Sequence, residues 1–379
     1  MGKLPSVMEK KPANGREESF TDPDTKTSEL TEAGMWDHTS QVLLMHRLAT
    51  LVLLLSASLW AQPKIGIIEI FGAKKVPKQK IIKALGALEG DPLPSSKVET
   101  EGRIELVPGI VRANVEAVCC ESGRAILYVG VEEKGAEVHF EYNTPPSQEL
   151  RLPEEVESEW LEFIGSLNVA VQSGKADEDL TQGHSLMADA EVRKSQLKFI
   201  EMANRHFEVL ENVLHDAEDE QQRGIAAFVI QYGADKKRVA RDLQYAMRDA
   251  DSTVRNNAMR GLAALAVLAQ LNPESELKIP ATWFVEMLNS TLFTDRNKAS
   301  LALMNLTEKR DPSTISHILD RALTPLIEMA QWKSLGHALP GFILLGRLVG
   351  WSEEEIHEKW KQGAREELLG LVGDLSKKK

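Results

Sequence analysis

The chain has 379 residues, 42% of them hydrophobic and 27% charged, which excludes wholesale disorder and leaves room for two or three domains. Its formal net charge of −12, with Lys and Arg scattered rather than banked on one stripe, works against nucleic-acid binding because a phosphate backbone would be repelled. The two cysteines, Cys119 and Cys120, are adjacent. They form no CxxC pair that could seed a zinc site. Neighbours on a strand point to opposite faces, so two free thiols are expected.

Residues 1–44 are polar, lack apolar periodicity and read as disordered. Met45, His46 and Arg47 then precede an apolar run from Leu48 to Ala61, with small residues at Ser56, Ser58 and Ala61. A short positive region, an apolar core and small residues at its end are the parts of a secretory signal peptide. The run falls short of the roughly 20 apolar residues that a membrane span needs. Translation is expected to start at Met45 and the mature chain near Gln62. The alternative for residues 45–61 is an uncleaved signal anchor, which would associate the chain with a membrane. Either reading puts the remainder outside the cytoplasm.

Residues 62–143 read as a small α/β domain of order βααββ. Ile65 to Phe71 is a β-branched run ended by Gly72. Pro77 suits a first helical turn, Ile81, Ile82, Leu85 and Leu88 follow at helical spacing, and Gly90 closes the segment. A second helix is expected from about Ser95 to Leu106, stopped by Pro108 and Gly109. Val111 to Cys120 and Ala125 to Glu133 read as strands around a turn at Glu121-Ser122-Gly123. This order resembles the POTRA domain: a glycine follows the first strand, Leu106-Val107-Pro108-Gly109-Ile110 precedes the second, and Val131-Glu132-Glu133-Lys134 ends the last. The resemblance implies a docking module that can add a partner's strand to its sheet edge. Such domains usually accompany a barrel or a membrane anchor, and the remainder here reads as helical rather than as barrel strands. Residues 144–155, with Pro145 and Pro146, read as a linker and a preferred site of proteolytic nicking.

Residues 156–379 read as stacked helices. Val156, Trp160, Phe163, Ile164 and Leu167 begin the series, and Ser173 to Asp179 interrupts it. Leu197, Ile200, Phe207, Leu210 and Leu214 describe one long amphipathic helix from Glu191. Internal repetition follows, with Arg223, Arg255 and Arg296 in related contexts and periods typical of helix-pair repeats. In the clearest repeat Asp251 or Ser252 can cap the helix, and Val254, Ala258, Leu262 and Leu265 share one face. The stretch closely resembles the HEAT repeat signature D-x-x-x-V-R-x-x-A. That resemblance implies a ladder of Asp and Arg from repeat to repeat, carried here by Asp251 and Arg255. Asp295 and Arg296 fit it with a compressed spacing, and Arg223 lacks the preceding valine. Pro280, Pro312 and Pro325 lie near helix starts, and Ser352 with Glu355 makes a capping box.

The chain offers little for catalysis. There is no HExxH, GxSxG, phosphate-binding loop or GxGxxG. His206 and His215 share a broad helix face without metal-ligand spacing, and Gly183-His184-Ser185 reads as a loop rather than a nucleophile turn. No catalytic, cofactor or metal residue is assigned. The expectation is a mainly α protein, a HEAT-like solenoid behind a POTRA-like domain. It would serve as an exported, non-enzymatic scaffold that binds protein partners in the bacterial cell envelope. An accessory or regulatory subunit of an envelope enzyme complex, held by a signal anchor, is the alternative.

Overall fold

The structure, a computed structural model, describes residues 63–138, 140–175 and 177–377. The expectations for residues 1–44, for the apolar run 45–61 and for a start near Gln62 lie outside the described residues. Among the described residues no helix is long and apolar enough to cross a membrane.

The chain begins with the expected order: β1 (Ile65–Phe71), α1 (Lys78–Leu85), α2 (Lys97–Glu105), β2 (Ile110–Glu121) and β3 (Arg124–Glu133). β3 is central, parallel to β1 and antiparallel to β2. Ser96 starts α2 by accepting from the Glu99 N–H. α1 ends at Gly86, whose left-handed backbone caps it, and not at Gly90 as the apolar spacing had suggested. Leu88 thus lies beyond the helix, largely exposed. Glu133, at the end of β3, accepts from the backbone N–H groups of Lys74, Lys75 and Val76 at 2.7–3.0 Å. Burial alone would raise its carboxyl, but these three donors hold it below the usual carboxylate range. One acidic residue therefore ties the last strand to the turn that follows the first.

Cys119 and Cys120, expected as free thiols, are joined to each other by a disulfide across a cis peptide bond. The alternation argument assumed a regular strand, whereas the pairing of β2 with β3 shifts register between Val118 and Glu121, at the two cysteines.

One face of the sheet carries α1 and α2 over a core of Ile65, Ile81, Leu85, Ile104, Leu127 and Val129. The other face is not free. Phe71, Ile126 and Tyr128 belong to the same buried cluster as the helices that follow. Residues 63–377 accordingly lie within one compact unit.

The helical part comprises α3 (Glu154–Gln172), α4 (Ala190–Arg205), α5 (Phe207–Asp216), α6 (Glu220–Ile230), α7 (Lys236–Ala246), α8 (Ser252–Leu271), α9 (Thr282–Met287), α10 (Phe293–Leu306), α11 (Pro312–Arg321), α12 (Leu323–Ala330), α13 (Leu335–Leu348), α14 (Glu353–Lys361) and α15 (Arg365–Lys377). The single long helix expected from Glu191 is divided at His206, because the apolar stripe continues through a change of direction that periodicity does not register. Helices α4, α6, α8, α10 and α13 pack side by side as one layer, with α5, α7, α9 and α11 alternating as the other. This is a helical repeat in which each pair buries its apolar face on the next. Between α3 and α4 lies a short hairpin, of which β4 (Glu178–Asp179) falls in the Ser173–Asp179 segment expected as an interruption and β5 (Leu186–Met187) beyond it.

Candidate interaction surfaces

The arginine ladder organises one edge of the stack. Arg223, on the first turn of α6, donates to both carboxylate oxygens of Asp249 at 2.8 and 3.0 Å, and to the carbonyls of Ala217 and Glu218. Arg255, at the same place on α8, donates to Asp295 at 3.2 and 2.8 Å and to the carbonyls of Asp249 and Ala250. Each guanidinium thus satisfies loop carbonyls of its own repeat and a carboxylate of the next, a use that suits its planar fork of donors. Arg296, on α10, continues the row with Glu328 of α12 at 2.8 Å and the Ser290 carbonyl.

Of the four residues expected in the ladder, Arg255, Asp295 and Arg296 take part, though Asp295 and Arg296 are not partners of one another. Asp251 does not form a rung. It is the N-cap of α8, accepting from the Thr253 and Val254 N–H groups, while Asp249 makes the inter-repeat pair. Two aspartates one residue apart both suit a ladder by sequence, and only one can also face the helix's free donors. The carboxylates Asp249 and Glu328 were missed. Asp249 sits two residues ahead of the motif, and Glu328 replaces an aspartate from a different helix.

Burial would lower the Arg255 guanidinium, but the charge and hydrogen bonds of Asp295 hold it above its ordinary value. At Arg296 burial wins over Glu328 and the group is lowered.

The ladder also receives the α/β module. The Arg255 guanidinium lies 4.7 Å from the Tyr142 ring centroid, and that of Arg296 lies 4.4 Å from the Phe71 ring. Glu328 accepts from the Gly72 N–H as well as from Arg296. Tyr128 of β3 stacks on Phe293 at 3.8 Å and places its hydroxyl 2.6 Å from Nδ1 of His337. Glu116 of β2 accepts from the Phe293 and Thr294 N–H groups at the start of α10. Residues 144–155, expected as a linker, continue along the same edge. Asn143 donates to the carbonyls of Arg248 and Tyr245, Gln148 bridges to Ala217, and Leu152 is buried. The module's second face and its connector are therefore consumed within the chain.

Among the described residues nothing covers the module's helical face. Between α1 and the end of α2 a groove of about 560 Å³ has Ala84, Leu106, Val107 and Pro108 as its apolar wall, with Lys80 and Lys83 beside it. Leu106 is 82% exposed. The neighbouring sheet edges are guarded. The outward N–H groups of Ala113 and Val115 on β2 donate to Glu105 and Glu101, and that of Ile68 on β1 donates to Glu89.

The loop Gly183-His184-Ser185 is a buried polar junction. Ser185 donates to Glu178, Tyr232 donates to the Ser185 carbonyl, and His184 Nδ1 lies 3.2 Å from the Lys236 ammonium. Burial, then the charge of Lys236, lowers His184 to about 4. Serine and histidine do not contact each other through their reactive atoms here. His206 pairs with Glu155 and His215 stacks on Tyr245. Among the described residues no group of three His, Cys, Asp or Glu is placed to hold a metal ion.

No family model matches the chain, and no curated protein matches it. Among solved structures, a designed armadillo repeat protein is similar over 50% of this chain and 89% of its own, with 19% identity and a TM-score of 0.32. That likeness is too distant to carry any statement about a site.

Proposed function

We propose that this chain is a non-enzymatic scaffold of the bacterial cell envelope, exported by its N-terminal segment, that binds a protein partner through the helical face of its POTRA-like module. The observation that carries the reading is the groove between α1 and α2, where a side chain as apolar as Leu106 stands 82% exposed. The opposite face of the same sheet is already filled by a stack that resembles HEAT repeats, so the module is held rigidly and presents one surface outward.

Strand addition, the mode implied by the POTRA resemblance, would have to displace Glu101 and Glu105 from β2 or Glu89 from β1. A partner laid across the groove displaces nothing. Lys80 and Lys83 have no ion pair among the described residues, so an acidic amphipathic helix is the complementary ligand.

The test is capture from solubilised envelope with the wild-type chain and with Leu106→Asp. The reading expects a reproducible partner that the variant loses while melting as the wild type does. Identical capture by both proteins, or recovery of the native chain in the cytoplasmic fraction, would overturn it.

A further inference from the structure

A second opening lies on the other side of the molecule's chemistry, in the layer of helices that the groove does not touch. A cavity of about 350 Å³ sits between α8, α10 and the β4–β5 segment, with Leu180, Met259, Leu301 and Met304 as its apolar lining. Its size and lining are those of a small-ligand site with a few placed polar groups.

The polar groups are unevenly matched. Arg260 donates through Nη2 to Glu178, yet its Nε is buried with no acceptor. Lys298 makes no ion pair or hydrogen bond among the described residues; Arg260 stands near enough to repel its ammonium and Glu178 near enough to attract it in part. Glu178 is shared, accepting from Ser185 as well as from Arg260. Asp177 also lines the cavity. Burial, then the charge of Arg260, lowers the Lys298 ammonium to about 8. Two donors without an acceptor, beside a flexible apolar wall containing two methionines, form half of a recognition site.

We propose that this cavity binds a carboxylate carried on a short apolar body, with the carboxylate at Lys298 and Arg260 Nε and the body against Leu180, Met259, Leu301 and Met304. Such a group occurs on a free aliphatic acid and on the C-terminal residue of a peptide. The site is independent of the groove on the α/β module, so either can fail without the other.

Titration calorimetry on the full chain separates the cases, using octanoate, octan-1-ol and N-acetyl-leucyl-leucine as probes. At least one acid should bind saturably with one site per chain, and octan-1-ol should bind roughly tenfold more weakly or worse than octanoate if the charge contact is made. The tighter acid identifies the source, free acid or peptide terminus. Affinity should fall as pH rises through about 8, where the Lys298 ammonium loses its proton. Lys298→Met, similar in shape and uncharged, should weaken the acid by roughly tenfold or more. The proposal is overturned if neither acid binds saturably, if binding is insensitive to pH between 7 and 9, or if a folded Lys298→Met binds the acid as the wild type does. Should that variant fail to fold, the pH dependence of the wild type decides.

Discussion

Arg255 and Asp295 are joined by two hydrogen bonds across consecutive repeats, in a place where neither residue is reached by solvent. The pair is held from three other sides. Ser290 donates to the Asp295 carboxylate, the carbonyls of Asp249 and Ala250 take the remaining Arg255 nitrogen, and Tyr142 covers the guanidinium.

Removing one partner leaves the other charged and buried. Arg255→Ala should therefore destabilise the chain by about 3–5 kcal/mol, as is typical when a buried pair loses one member. Asp251→Ala, which removes a cap but no rung, should cost only about 1 kcal/mol. Denaturant unfolding of the two variants checks the ranking. Equal losses would mean that Asp251 does more than cap the helix.

The seam between module and stack depends on a close approach at Gly130. A methyl group there would meet the Thr291 carbonyl oxygen and the Phe71 ring. Gly130→Ala should loosen the seam while leaving the helices intact, exposing residues 134–153 to protease. Limited proteolysis of the wild type should leave that segment uncut, since Asn143, Gln148 and Leu152 are tied to the stack. Rapid cutting of the wild type at Pro145–Pro146 would restore the linker reading.

Acid should weaken the fold through two histidines. Burial is the first cause of lowering at both His184 and His337. An unfolded imidazole binds its proton near pH 6.5, whereas the folded His184 holds out to about 4. In that window the unfolded state carries more protons, so the contribution is complete above 6.5 and is lost as pH falls toward 4. Glu69 and Glu116, raised chiefly by burial, act in the opposite sense, because their folded forms take up protons first. The difference between wild type and His184→Gln isolates the histidine: unfolding free energies measured from pH 7.5 to 4.5 should fall more steeply for the wild type. Parallel curves would show that His184 is not held neutral by the fold.

Much of this architecture is legible in the sequence because local rules decide it. β1 is recognised by its β-branched run and by Gly72, whose φ of +81° favours glycine. The repeat at Asp251 to Leu265 is legible because cap, arginine and small residue all lie within one helix. What crosses between elements is not. The choice of Asp249 over Asp251 depends on which carboxylate faces the neighbouring repeat. The break at His206 leaves the apolar stripe intact. The docked sheet had left a trace, however: Ala125-Ile126-Leu127-Tyr128-Val129-Gly130-Val131 is apolar without alternation, the pattern of a strand covered on both faces. The open helical groove leaves no comparable trace, because an exposed Leu106 looks like any other apolar residue at the end of a helix.

Docking of a protein partner on the helical face of the module can be read out by photocrosslinking in cells. A photoreactive residue would replace Leu106 in the groove, and in parallel Leu161 on α3, which is 69% exposed but outside it. A discrete crosslinked species is expected from position 106, absent from position 161 and diminished by Lys80→Glu with Lys83→Glu. Equal products from both positions, or none from position 106 in a correctly folded chain, would contradict it.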